Sequence, residues 1–240
     1  MLPNWLTGSQ QSQSDGIAED RHVVLGTPLH APLMDDQEEI LFGCGCFWGA
    51  EKGFWRLPGV VSTAVGYAGG QTAAPSYEQV CSGRTGHTEV VRVVWSTPAT
   101  DVSDLLKLFW ECHDPTQGDR QGNDRGSQYR SAIYTTTPRQ MELALASRES
   151  YQHALTEAGR DTITTEISAD QTFHFAESYH QQYLARPGSR PYCSAMPSGL
   201  RLGTFEGAQY RLPDQVWSHY DWSISHCVLR GDNAPIQLKT

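Results

Sequence analysis

Several things are scarce in this chain of 240 residues, and each shortage excludes a class of function. No apolar run approaches the roughly 18–20 residues that a bilayer-spanning helix needs, so no membrane role is expected. The start of the chain lacks the basic-then-apolar order of a secretory signal. Asp15, Glu19 and Asp20 argue against an acid-poor organelle transit peptide, so the expected location is the cytoplasm. Basic residues are few, 18 Lys and Arg against 27 Asp and Glu for a net charge of −9, and they form no stripe that would hold nucleic acid or an anionic membrane surface. Internal repeats are absent, and low complexity is confined to a Gln/Ser patch near residues 9 to 14. Cysteine is sparse and irregularly spaced: Cys44, Cys46, Cys81, Cys112, Cys193 and Cys227 do not make the framework of a disulfide-stapled secreted module. They read as thiols in a reducing compartment.

What is present is concentrated in Gly43-Cys44-Gly45-Cys46-Phe47-Trp48-Gly49-Ala50-Glu51, which joins the apolar run Ile40-Leu41-Phe42 to a helix through Phe54, Trp55 and Leu57. Glycines there allow a sharp turn. A thiol at the helix start meets unpaired amides and the positive end of the dipole, which predicts a lowered pKa for Cys46 or Cys44. Phe47 and Trp48 supply an apolar wall beside it.

Along the chain, residues 1–36 are polar and aperiodic and are expected to form a flexible or wrapping arm; residues 37–193 form the catalytic domain and 194–240 a C-terminal extension. Val60 to Tyr67 and His87 to Trp95 read as strands separated by a long loop, the kind that tends to carry function. Leu105, Leu108, Phe109 and Cys112 fall on one helical face behind an N-cap at Asp101 or Ser103, so Cys112 reads as core. Further expectations are a strand Tyr129 to Tyr134, a helix from Thr137-Pro138 to about Ala158, a strand Ile163 to Ile167 and a helix Glu177 to Leu184. The order strand, helix, strand, strand, helix, strand predicts an α+β two-layer sandwich with a ferredoxin-like split βαβ core, a mixed sheet and an irregular C-terminal tail.

Glu89 is a carboxyl on an apolar strand. Buried without a counter-charge it would keep its proton and could donate it. With Tyr77 and Tyr129 nearby, such a site would offer donors to an oxygen atom and a sulfur nucleophile to whatever carries it.

Gly45-Cys46-Phe47-Trp48-Gly49, Pro75-Ser76-Tyr77, Gly86-His87-Thr88-Glu89, His113-Asp114-Pro115, Gln121-Gly122-Asn123-Asp124 with Gln128-Tyr129-Arg130-Ser131, and Tyr179-His180-Gln181-Gln182-Tyr183-Leu184 resemble the peptide-methionine (S)-S-oxide reductase family, type A, over about residues 38 to 193. The resemblance implies an enzyme of protein repair under oxidative stress that reduces the S epimer of methionine sulfoxide, peptide-bound or free, without cofactor or metal. It implies Cys46 as nucleophile, Phe47 and Trp48 around the substrate methyl, and Glu89 as proton donor. Tyr77 and Tyr129 would bind the sulfoxide oxygen, with Asp124 in support. The Cys46 sulfenic acid would be resolved by Cys193 in the Pro/Gly-rich segment, which is expected to be mobile, and the disulfide reduced by thioredoxin. A monomer is expected.

Two features depart from the family pattern. No further cysteine lies in Ser194 to Gly203, where many relatives keep a recycling thiol, and the chain continues to Cys227, either a replacement shuttle or a packed residue. Two other readings fit the residues less well. A thiol-disulfide enzyme or peroxidase using Cys44/Cys46 lacks the Cys-X-X-Cys spacing, and a zinc module of Cys44, Cys46 and His113 lacks a second close ligand pair.

Overall fold

Alternation of side chains along the strands sets the architecture. In the computed structural model, which describes residues 20–225 and 227–238 apart from the side chain of Cys227, β1 (Gln37–Cys44) lies at the centre of a six-stranded sheet. Ile40, Phe42 and Cys44 face one side of it and Leu41 the other. The partners of β1 are β3 (Thr88–Ser96) and β6 (Ser131–Thr135), both antiparallel. β2 (Val60–Ala68) and β8 (His174–Phe175) extend the sheet beyond β3, and β7 (Glu166–Ala169) adds to β6 in the single parallel pairing. β4 (Arg120–Gln121) and β5 (Asp124–Arg125) form a separate small hairpin.

The large core lies on the side of Phe42, Val91, Val93 and Trp95, under helices α1 (Phe47–Trp55), α3 (Val102–Cys112) and α4 (Pro138–Glu157). The opposite face is a small cluster of Leu41, Ala68, Val90, Ala132 and Tyr134. Helix starts follow side-chain chemistry: Asp101 caps α3, accepting from Ser103 N at 2.9 Å, and Thr137 caps α4 ahead of Pro138. Among the described residues, no helix is long and apolar enough to cross a membrane.

Both flanks pack on this sandwich. Residues 1–19 of the expected arm lie outside the described residues; from residue 20 onward His22 and Leu29 are buried against it. Beyond Cys193, among the described residues, regular structure is limited to α5 (Asp214–Trp217) and a 3₁₀ turn at Cys227–Leu229, yet Leu202, Phe205, Leu212, Val216 and Trp217 belong to the large core. Buried carboxylates anchor this segment. Asp104 accepts from the amides of Arg211 (3.0 Å) and Leu212 (3.2 Å), and Glu111 from Leu202 N (2.9 Å) and Arg201 (2.8 Å).

Some sequence expectations need correction. The helix expected over Glu177 to Leu184 is two 3₁₀ turns, Ser178–His180 and Tyr183–Ala185, broken at Gln182 with φ of 47°. The physical reason is competition from side chains. Gln181 bonds the backbone N and O of Val65 (both 2.9 Å), and Gln182 gives its amide N–H (2.9 Å) and its side chain (2.7 Å) to Glu51. The strand expected from Tyr129 starts at Ser131, because Ser127–Tyr129 is a 3₁₀ turn after Gly126. The strand expected at Ile163 starts at Glu166. In the loop after β2 a short helix, α2 (Tyr77–Cys81), is set by a capping box between Ser76 and Gln79.

Candidate active site

Cys46 is the N-cap of α1, directly after Gly45 with φ of +84°; a Cβ at Gly45 would lie 2.5 Å from the Gln121 side chain, so only glycine fits this turn. Glu89 is reached from β3. Its position alternates with Val91 and Val93 toward the helix side and lies opposite Tyr67 across the β2–β3 pairing. There Glu89 Oε2 accepts the backbone N–H of Phe47, the first residue of α1, at 3.0 Å.

Burial governs the titration of both groups. The Glu89 carboxyl is pushed up to about 8 by burial, eased by the Phe47 amide and raised further by Asp124. The Cys46 thiol is raised well above its ordinary value by burial and then by the Glu89 charge, against which the Trp48 amide at the helix start is the weaker influence. The expected lowering of the Cys46 pKa is therefore reversed: desolvation outweighs the helix end. Coulomb coupling ties the two protons together, since a neutral Glu89 removes one of the charges opposing a Cys46 thiolate.

Tyr77, at the start of α2, and Tyr129, in the 3₁₀ turn before β6, complete the polar side. Tyr129 is raised by burial and by the charges of Glu89 and Asp124, with Cys46 also within electrostatic reach. Tyr77 is raised by burial and by a hydrogen bond to Cys81, then by Glu89. The structure thus brings Cys46, Glu89, Tyr77, Tyr129 and Asp124 into one neighbourhood. Asp124 accepts from the Tyr192 hydroxyl at 2.5 Å, and its other oxygen is buried without a partner among the described residues.

Phe47 and Trp48 form the apolar side with residues to which the sequence analysis assigned no role. Trp48 stacks on Tyr183 (4.0 Å between ring centres), meets Tyr192 edge-on and donates its indole N–H to His180 Nδ1 at 3.2 Å. His180 also lies against Phe47 and Tyr77 and is held near 4 by burial, hence neutral. Glu177 orders this wall, accepting from Tyr67 Oη (3.0 Å) and Tyr77 N (2.9 Å). Contacts across about a hundred residues leave no local signal beyond the Tyr179 to Leu184 motif itself.

Cys193 is buried, and its thiol is pushed up to about 11 by burial. Its sulfur rests on α1 at Gly49, where a Cβ would come within 2.5 Å of Sγ. The segment is pinned on both sides, by Tyr192 to Asp124 and by Met196 N to Gln121 at 3.0 Å. The expectation of a freely mobile segment is corrected: in the reduced protein the loop lacks regular structure but its side chains and amides are held. The Cys227 thiol lies outside the described residues.

Among the described residues, one group of side chains has metal-ligand chemistry: Cys44, Cys112 and His113, whose ligand atoms lie within 4.8 Å of one another, with Cys112 where the zinc reading set aside above had Cys46. Both His113 nitrogens are engaged, Nδ1 with Phe109 O at 2.7 Å and Nε2 with Ser131 Oγ at 2.8 Å. That leaves two sulfurs and no free third donor, which fits a metal poorly.

Comparison with known proteins agrees with this geometry. The family model described as peptide methionine sulfoxide reductase matches residues 38–206. Peptide methionine sulfoxide reductase MsrA of Salinispora arenicola is 58% identical over 183 residues, covering 75% of this chain and 83% of the relative. That of Vibrio vulnificus is 52% identical over 197 residues, covering 82% and 92%. Among solved structures, methionine sulfoxide reductase A of Corynebacterium diphtheriae is similar with a TM-score of 0.68 at 45% identity, over 77% of this chain and 89% of that one. Reduced Mxr1 from Saccharomyces cerevisiae gives 0.60 at 30% identity, over 68% and 92%. With a match across most of its length and around the Cys46 turn, the chain belongs to the peptide methionine sulfoxide reductase family.

Proposed function

We propose that this protein reduces the S epimer of methionine sulfoxide, in oxidised proteins and as the free amino acid, through a sulfenic acid on Cys46. The observation that carries the reading is the pairing of Cys46 at the start of α1 with a buried Glu89, one oxygen of which is occupied by Phe47 N while the pKa of about 8 keeps a proton on the carboxyl at neutral pH. Phe47 and Trp48 receive the sulfoxide methyl. Tyr77 and Tyr129 hydrogen-bond the oxygen, and Glu89 gives it a proton as the Cys46 sulfur attacks the sulfoxide sulfur, turning a poor leaving group into a better one. Methionine departs and Cys46 is left as the sulfenic acid. Cys193 then attacks that sulfur, water leaves, and thioredoxin reduces the Cys46–Cys193 disulfide.

The burial and pinning of Cys193 add one requirement: the Tyr192–Asp124 and Met196–Gln121 bonds loosen as the disulfide forms. Incubation with resolved sulfoxide epimers and dithiothreitol tests the whole. Methionine is expected from the S epimer alone, and Cys46→Ser should form none while keeping its far-UV spectrum and melting transition. Turnover by a folded Cys46→Ser protein would remove the assignment.

A further inference from the structure

The sulfurs of Cys44 and Cys112 lie within 4.8 Å of one another, the first at the end of β1 and the second at the end of α3. Both are buried, free and unused by the chemistry above. They line a small, mostly apolar cavity of about 10 Å³, room for about one water, and Cys193 lines the same cavity against Gly49. Cys193 is thus within electrostatic reach of Cys46 and also lines this cavity.

We propose that Cys44 and Cys112 are a second, internal dithiol that takes over the oxidation from the Cys46–Cys193 disulfide and stores it as a Cys44–Cys112 disulfide. The proposal rests on the reading that Cys193 resolves Cys46. Cys112, as thiolate, attacks the Cys193 sulfur and Cys46 leaves as thiolate. Cys44, as thiolate, then attacks the Cys112 sulfur and Cys193 leaves. The two protons lost by Cys112 and Cys44 end on Cys46 and Cys193, so the exchange needs no outside oxidant or reductant. Thiol–disulfide exchange requires only that the sulfurs approach from their present spacing to a bond of about 2.05 Å.

The surroundings fit a hand-over. His113 Nδ1 must carry hydrogen, because its 2.7 Å partner is the Phe109 carbonyl, and this N–H lies 3.8 Å from the Cys112 sulfur, where it favours the thiolate. Against it, the Cys44 sulfur beside Cys112 and then burial raise that thiol, which makes the exchange slow in the resting state. Cys193 lies within electrostatic reach of both Cys46 and Cys112.

A count of methionine made without reductant decides the matter. Reduced, desalted full-length protein given excess S sulfoxide should form two methionines per chain, Cys227→Ser also two, and Cys112→Ser one. With one equivalent of sulfoxide, mass mapping of the wild type should find Cys44 bonded to Cys112, with Cys46 and Cys193 alkylated as free thiols. This second measurement does not depend on a buried substitution folding. A wild type that stops at one methionine with a Cys46–Cys193 bridge overturns the proposal and leaves the catalytic reading standing, as does a Cys112→Ser protein that still makes two. A wild type that stops at one with a dimedone-reactive Cys46 and no bridge overturns the resolving role of Cys193, and this proposal with it.

Discussion

Glu51 on α1 and Glu89 on β3 are both buried, and their oxygens are engaged differently. Glu51, inside α1, is contacted on both oxygens: Oε1 accepts from Thr63 (3.0 Å) and Gln182 Nε2 (2.7 Å), and Oε2 from Gln182 N (2.9 Å). Glu89 has the Phe47 amide on one oxygen. Burial raises both, Glu51 to about 7 and Glu89 to about 8, the lower value belonging to the carboxyl with more donors. Glu51 has donors on both oxygens, three in all, and is tied by them into the fold. Glu89 keeps an oxygen free beside Cys46, so it can hold a proton and release it.

The largest effect that could break this contrast is on the first step of reduction. Glu89→Gln keeps a group of the same shape but no transferable proton, and its single-turnover rate should fall on the order of 10²- to 10⁴-fold with little change in melting temperature. An unchanged rate would put Glu89 in the same class as Glu51. The wild-type rate of that step should also decline as pH rises through about 8, where Glu89 loses its proton, and this limb should be missing from Glu89→Gln when both are followed by rapid quench.

Next in size is a stability effect. Glu51→Gln turns an acceptor toward the Gln182 side chain into a donor and leaves buried partners unsatisfied, so denaturant unfolding should show a loss of about 1–3 kcal/mol, with the rate of sulfoxide reduction nearly retained. A large rate loss at unchanged stability would erase the distinction from the other side.

The smallest effect is in the pH dependence of unfolding. Both carboxyls bind their protons more tightly in the folded chain, so their share of stability is complete below about 4.5 and is lost as pH rises through about 7 for Glu51 and about 8 for Glu89. Each Glu→Gln variant should flatten its own part of that slope in a series of urea titrations. A slope that steepens upward with pH would contradict the assigned directions.

Much of this was legible in the residues because the signals are local. A lone carboxyl in the run His87 to Trp95 stands out against β-branched neighbours, and Asp101 and Thr137-Pro138 announce helix starts that the structure contains. The direction of the Cys46 shift was not legible, because the helix-end effect can be read from the motif whereas the depth of burial depends on Glu89, Asp124 and Cys193 arriving from elsewhere. The break at Gln182 was hidden for a similar reason. Helical spacing from Glu177 to Leu184 is a property of the segment, while the bonds that override it are to Glu51 and Val65, more than a hundred residues away. The pinned state of Cys193 likewise depends on Gly49, Gln121 and Asp124, none of which is near it in sequence.

The bonds around Glu51 reach further than the carboxyl itself. His22 Nδ1 accepts from the amides of Val24 and Leu25, so its Nε2–H is the donor to Thr63 Oγ1 at 2.8 Å, and Thr63 passes a hydrogen bond on to Glu51. On the outer side of the same helix, Lys52 holds Gly231 O (2.8 Å) and Trp55 holds Asn233 O (3.0 Å). Helix α1 is therefore the fixed jaw of a vice, clamped by chain from near residue 22 and from beyond residue 230, while under the proposed cycle the segment carrying Cys193 is the jaw that travels. Amide exchange should record that asymmetry, with α1 among the slowest sites and 192–196 released far sooner; equal protection of the two would mean that the nucleophile, too, moves to meet its partner.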